Sequence, residues 1–187
     1  LAPNTVATQG YDYQLEVPDY FSDQQSSEYQ VTETVNTIIQ DASSSDGYTV
    51  AQSISDFLRL GNDSQEFNLY HTPTTRLTGE DVTSYVLANG FGQCTDYNAA
   101  FVTMARLAGL PARYVTGYVG GEWNGVGYTV STQHYTSWGE VKLSFYAGSG
   151  PVDLGWVPFD SCPPAENLTI LNQTITQLTL DRDLVDR

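Results

Sequence analysis

Apolar residues along this chain follow two periods, and the change from one to the other divides it. Val31, Val35, Ile38 and Ile39 recur at helical intervals until "SSSDG" interrupts them at 43–47, which predicts a first helix. A second helix is predicted from Thr49 to about Leu60, with Val50, Ile54, Phe57, Leu58 and Leu60 apolar and Gly61 just past its end. "FNLYHT" then reads as extended, and His71, followed at once by Thr72-Pro73, has the setting of a surface loop residue. "TGEDVTSYVLANG" predicts a short third helix, with Thr78 as its cap and Val82, Tyr85 and Val86 on its apolar face. Gly90 and Gly92 let the chain turn sharply. From Thr95 to Ala108 the apolar positions Ala99, Ala100, Val102, Met104, Leu107 and Ala108 leave little polar surface, so this segment is predicted as a central buried helix stopped by Gly109 and Pro111.

Beyond Pro111 the period becomes two. "ARYVTGYV", "GYTVSTQHYTSWGEVKLSFY" and "LGWVPFD" predict three strands, with Gly-rich connections at 117–127 and 147–151. Helices first and strands afterwards imply an α+β domain in which an antiparallel sheet packs on the central helix. Three regions follow. Residues 1–30, with the alternating run "YDYQLEV", read as an N-terminal arm or edge strand; 31–165 form the domain; and 166–187 alternate weakly, as a C-terminal extension or linker.

Composition narrows the partners. The 22 acidic residues against 7 basic ones, of which Lys142 is the one lysine, give a formal net charge of −15. Binding to a nucleic-acid backbone or an anionic membrane surface needs clustered cations, so both drop out. No stretch approaches the roughly 18 apolar residues of a membrane span. The chain opens at Leu1 rather than Met, with no basic start and apolar stretch after it, and is expected to be a piece of a longer protein with further domains. Acceptor patterns for N-glycosylation at Asn62, Asn167 and Asn172, with scarce lysine, favour an extracellular or cell-surface location. No metal-ligand cluster is apparent, and no cofactor is expected.

The candidate chemistry begins at "GFGQCTDYNAAF", residues 90–101. Cys94 stands where the central helix begins, and the exposed amides and dipole of a helix N-terminus favour a thiolate. The alternative is a buried structural cysteine; the glycines ahead of it favour close approach by a ligand's backbone. A thiolate nucleophile needs a base and a group to orient that base. His134, on the second predicted strand, and Asp160, ending the third, supply them in the chain order Cys, His, Asp.

"GQCTDYNAAFVTMARLAGLPARYVTGY", "HYTSWGEV" and "GWVPFD", in that order, resemble the transglutaminase-like superfamily, and the likeness covers roughly residues 31 to 162. The resemblance implies a papain-like core, of a microbial or archaeal extracellular type. It also implies a thiol acyltransferase or hydrolase that acts on amide groups of proteins or peptides through a Cys thioester. Position by position, Cys94 matches the family's nucleophile and Asp160 the residue that orients its histidine. The middle member departs: with Trp138, Glu140 and Val141 set on the family's "H-A-W-x-E-V", the histidine position falls on Thr136, two residues beyond His134. Residues two apart on a strand share a face but lie roughly 6.6–6.8 Å apart, so His134 serves only if a bulge or register shift moves it. Threonine is no general base near neutral pH, so a strict alignment implies an impaired domain serving as a binding or structural module. Gln93 and the Cys94 amide are candidates for an oxyanion pocket. Trp138 and Trp156 read first as core or cleft wall, and Arg113 and Tyr114 as residues that hold strand and helix end together. Cys162, two residues past Asp160, is either a free thiol or the partner of Cys94 in a disulfide that would silence it.

Overall fold

The computed structural model describes residues 15–26, 28–62, 66–69, 79–147 and 150–164. His71, Thr72, Pro73, Thr78, the first residues of the N-terminal arm, Asn167, Asn172 and the C-terminal extension lie outside the described residues.

Helix α1, Tyr29–Asp41, buries Val31 and Val35, one turn apart on the face its spacing predicts. Helix α2, Gly47–Leu60, starts two residues before the expected Thr49 because Asp46 caps it. Its carboxylate accepts the Thr49 N–H at 3.0 Å and the Thr49 hydroxyl at 2.6 Å. Gly61 closes the helix at φ 70°, a value that a side chain would oppose. Helix α3, Val82–Asn89, is capped by Asp81, which accepts from the amides of Thr83 at 2.8 Å and Ser84 at 3.0 Å.

Helix α4, Cys94–Leu107, is the one the others surround. It buries Tyr97, Ala100, Phe101, Val102, Met104 and Ala105, and α1, α2 and α3 all pack against it. "FNLYHT" contributes only the short strand β1, Asn68–Leu69, which pairs in parallel with β2, Phe91–Gly92, directly ahead of α4. Tyr97 spans the two, its hydroxyl donating to the carbonyl of Asn68 at 2.8 Å. Burial pushes that phenol well above its ordinary pKa.

The antiparallel sheet on the other side of α4 has the order β3-β6-β7, from β3 (Ala112–Tyr118), β6 (Tyr135–Ala147) and β7 (Gly150–Phe159). The α+β arrangement implied by the change of period is the one observed. The middle strand is shorter than its alternation suggested: before Tyr135 lie a hairpin of β4 (Glu122–Trp123) and β5 (Tyr128–Thr129) and a 3-10 turn at Thr132–His134. Along β6, Ser137, Gly139, Val141 and Leu143 are buried, whereas Thr136, Trp138, Glu140 and Lys142 occupy the alternate, half-buried face.

Helix and sheet meet closely at Gly139. A Cβ built there would lie 2.3 Å from a ring carbon of Phe101, and Phe101 stacks on Phe159 of β7 at 5.3 Å between centroids. Gly139→Ala is therefore expected to cost about 1–3 kcal/mol by forcing α4 off the sheet, read as a fall in the urea midpoint. At α2 the two Thr49 hydrogen bonds, side chain first, hold the Asp46 carboxyl below its ordinary value. A carboxyl lowered by folding stabilises above its unfolded pKa, and that contribution is lost as pH falls through the lower, folded value. Asp46→Ala should thus lower stability by about 1 kcal/mol at neutral pH, and the gap to wild type should close in strong acid, in denaturation curves taken across pH.

Candidate active site

The segment that leads into α4 is shaped by its own packing. Gly90 ends α3 in the left-handed region, at φ 71° and ψ 13°. At Gly92 a Cβ would come within 3.2 Å of the Asp96 Cβ and 3.3 Å of a Val86 methyl. The close approach that these glycines signal in the sequence is made at Gly92 by the chain itself. Gln93 precedes the helix, and its amide donates to the Asp96 carboxylate at 2.9 Å, which closes one orphan donor of the first turn.

Cys94 is the first residue of α4, and its sulfur is bonded to that of Cys162, with Cα atoms 4.7 Å apart. Both residues are partly exposed. Of the two states open to Cys162 from sequence, the disulfide is the one observed, and neither cysteine is free.

One turn after Cys94, the buried side chain of Asn98 collects the remaining elements. Its Nδ2 donates to the Ser137 carbonyl on β6 at 2.9 Å and to the Asp160 Oδ1 at 3.2 Å. Its Oδ1 accepts the Ser161 amide at 2.8 Å. Asp160 Oδ1 also accepts the Cys162 amide at 3.1 Å, and the Ser161 hydroxyl donates to that of Ser55 on α2 at 3.0 Å. Asp160 is thus fixed beside the disulfide, with Asn98 and Cys162 as its hydrogen-bond donors rather than an imidazole.

His134 sits in the 3-10 turn ahead of β6, not on the strand where sequence placed it. Its Nδ1 accepts the Ser131 amide at 3.0 Å and lies 3.1 Å from the Ser131 hydroxyl, and its carbonyl accepts from Val119. The loop fails to continue as strand because this local bond competes with the ladder. Among the described residues no hydrogen bond joins His134 to Asp160, or either His134 or Thr136 to Cys94. Thr136 pairs with Gly117 in the β3–β6 register, and the Trp138 ring lies over Gly117, where a Cβ would meet it at 3.0 Å.

The outer face of the sheet carries its own ladder. Trp138 Nε1 donates to Glu140 Oε1 at 3.0 Å, Arg113 Nε to Glu140 Oε2 at 2.8 Å, and the Arg113 guanidinium lies 4.2 Å from the Trp156 ring centre. Arg113 therefore ties strand to strand. The link between strand and helix end belongs to Arg106, whose Nε donates to the Ala112 carbonyl at 3.0 Å. Among the described residues no group of three or more His, Cys, Asp or Glu is placed to hold a metal ion.

A core helix that opens on a cysteine, backed by an antiparallel sheet whose last strand is followed by an aspartate bonded to the amide of that cysteine's disulfide partner, is matched by one family model, described as the transglutaminase-like superfamily, over residues 24–161. The chain belongs to that superfamily. The uncharacterized protein YebA of Bacillus subtilis (strain 168) is 31% identical to this transglutaminase-like chain over 100 residues, 49% of the chain and 12% of YebA. The periplasmic domain of TgpA from Pseudomonas aeruginosa has the same fold at a TM-score of 0.59 and 19% identity, covering 84% of this chain and 48% of that one. Its ethylmercury-bound form matches equally well, over 50% of its length. The chain thus spans about half or less of each of these relatives.

Asn98 was not singled out in the sequence. The available signal was a lone amide in an otherwise apolar stretch of the helix, one turn past the cysteine. Asn98→Ala should remove three hydrogen bonds and strand the Ser161 amide and Ser137 carbonyl, at a cost of at least about 2 kcal/mol. Chemical denaturation of the oxidised protein measures it.

Proposed function

We propose that this transglutaminase-like domain acts as a binding or structural module of a larger extracellular or cell-surface protein, with its acyl-transfer site closed. The observation that carries the reading is the Cys94–Cys162 disulfide. A thioester forms through a sulfur lone pair on an unbonded thiolate, and here that sulfur is already bonded. The second support is the base: threonine holds the family's histidine position, and the nearby His134 is turned to Ser131. An exterior location is supported by the disulfide itself, which persists in oxidising compartments, and by likeness to a periplasmic domain. Among the described residues no helix is long and apolar enough to cross a membrane.

A second reading keeps the chemistry. Cys94 at the start of α4 and Asp160 beside it favour a thiol acyltransferase or hydrolase, in which Cys94 attacks a carboxamide of a protein or peptide. Water or an amine then resolves the thioester, and His134 moves the proton with Asp160 to orient it. Gln93 and the Cys94 amide would face the oxyanion.

Turnover separates the two. Ammonia release and amine incorporation from a glutamine-donor peptide should stay at the Cys94→Ala background for the wild type and for Cys162→Ala, which frees the thiol. Activity in Cys162→Ala that disappears when His134→Ala is added would overturn the module reading.

A further inference from the structure

A groove of about 530 Å³ lies between α1 and α3, and none of the residues that line it belongs to the Cys94–Cys162 site. We propose that it binds a linear aliphatic polyamine, with an ammonium group at each end and an internal nitrogen at Ser84. Such binding does not depend on whether Cys94 turns over.

The shape of the groove follows from two helices. Its lining positions on α1 form one stripe, from Val31 through Thr34 and Ile38 to Asp41, with Glu28 just ahead of the helix, so the groove follows α1 for roughly 20 Å. Ser84, Leu87 and Ala88 of α3 form the facing stripe, with Glu80 ahead of them. The two helices start at the same end: the Tyr20 hydroxyl donates to Asp81 at 3.0 Å, while the carbonyl of its neighbour Phe21 accepts the Thr32 hydroxyl at 2.6 Å. Val31, Ile38, Phe57 and Leu87 make the apolar part of the lining.

Charge and hydrogen bonding select the occupant. Carboxylates stand at both ends, Glu28 and Glu80 by the helix starts and Asp41 at the end of α1, and among the described residues no Lys or Arg lines the groove. The last turns of α1 and α3 hold no basic residue either, so neither helix meets the negative end of its dipole with a cation of its own. A second copy of the chain, itself at a formal −15, is repelled. The Thr34 and Thr37 hydroxyls donate back to the carbonyls of Gln30 at 2.9 Å and Glu33 at 3.0 Å, and helical backbone is already paired, so an extended peptide would find few partners for its own amides and carbonyls. A methylene chain needs none and is stabilised by apolar side chains. Between the charged ends, the Ser84 hydroxyl oxygen is buried with no hydrogen-bond partner among the described residues. That state is costly, and a charged N–H of the ligand would relieve it.

Isothermal titration calorimetry of the full chain with spermine, in low salt and with no acyl donor present, tests this. Spermine, whose extended chain of bonds of about 1.5 Å spans most of the groove, should bind at one per chain. Ala88→Lys plants a cation inside the groove, and Asn36→Lys adds the same charge at an exposed position of α1 outside it. Ala88→Lys should weaken spermine on the order of tenfold, and Asn36→Lys by less than about twofold. Ser84→Ala should weaken spermine and leave unchanged a diaminoalkane of the same length, which has no internal nitrogen. Hexaamminecobalt(III), a compact trication, should bind wild type and Ala88→Lys alike. Equal losses in the two lysine variants, or a cobalt complex as sensitive to Ala88→Lys as spermine is, would reduce the binding to net charge and overturn the proposal. So would the absence of spermine binding, or a Ser84→Ala chain that binds spermine as wild type does. Ammonia release from the glutamine-donor peptide, which tests the module reading, is untouched by any of these results.

Discussion

The side chain of Asn98 is the constraint on which the rest of this domain depends. An amide fully buried in a helix is costly unless every polar atom finds a partner, and Asn98 finds them on two other elements: the Ser137 carbonyl of β6, and Asp160 and Ser161 just beyond β7. Those bonds fix where the last strand ends relative to α4. With the end of β7 fixed, Cys162 is carried to the N-terminus of the same helix, and the disulfide becomes geometrically available. Ser55 on α2 takes up the Ser161 hydroxyl, so three layers are registered around one side chain.

The disulfide then adds a second lock at nearly the same point. It joins residues 68 apart, and closing a loop of that length removes chain entropy from the unfolded state worth on the order of 4 kcal/mol. Stability and reactivity are opposed at this position. The helix N-terminus that would activate a thiol is occupied by a bond that consumes it, and the aspartate that would orient a histidine accepts from the backbone of the second cysteine. The sulfur that a nucleophile would need is one end of a structural cross-link.

Helices α1, α2 and α4, the three-stranded sheet and their stacking were legible because each rests on periodicity, which local sequence carries. Boundaries shifted where a cap outranked the apolar pattern, as when Asp46 drew the start of α2 back to Gly47. Residues 127–134 depart from the strand that their alternation predicts for a related reason. The alternation is real, but Gly125, Gly127 and the Ser131–His134 bond bend the chain into a hairpin and a turn before Tyr135. At the site, Cys94 and Asp160 were legible as positions, through motif and helix start. Asn98 was not, because a single polar residue in a helix has no periodic signature, and its worth lies in partners 39 to 63 residues away.

By itself the sequence determined the family, the order of helices and strands, and the placement of one cysteine at the head of the central helix, since these follow from local pattern and motif. It left open whether that cysteine is free and whether His134 reaches it. Those were decided only by tertiary structure, because a disulfide depends on how near β7 brings Cys162 to α4, and a histidine's role depends on which atoms its ring meets. Here the ring meets Ser131, and the sulfur meets Cys162.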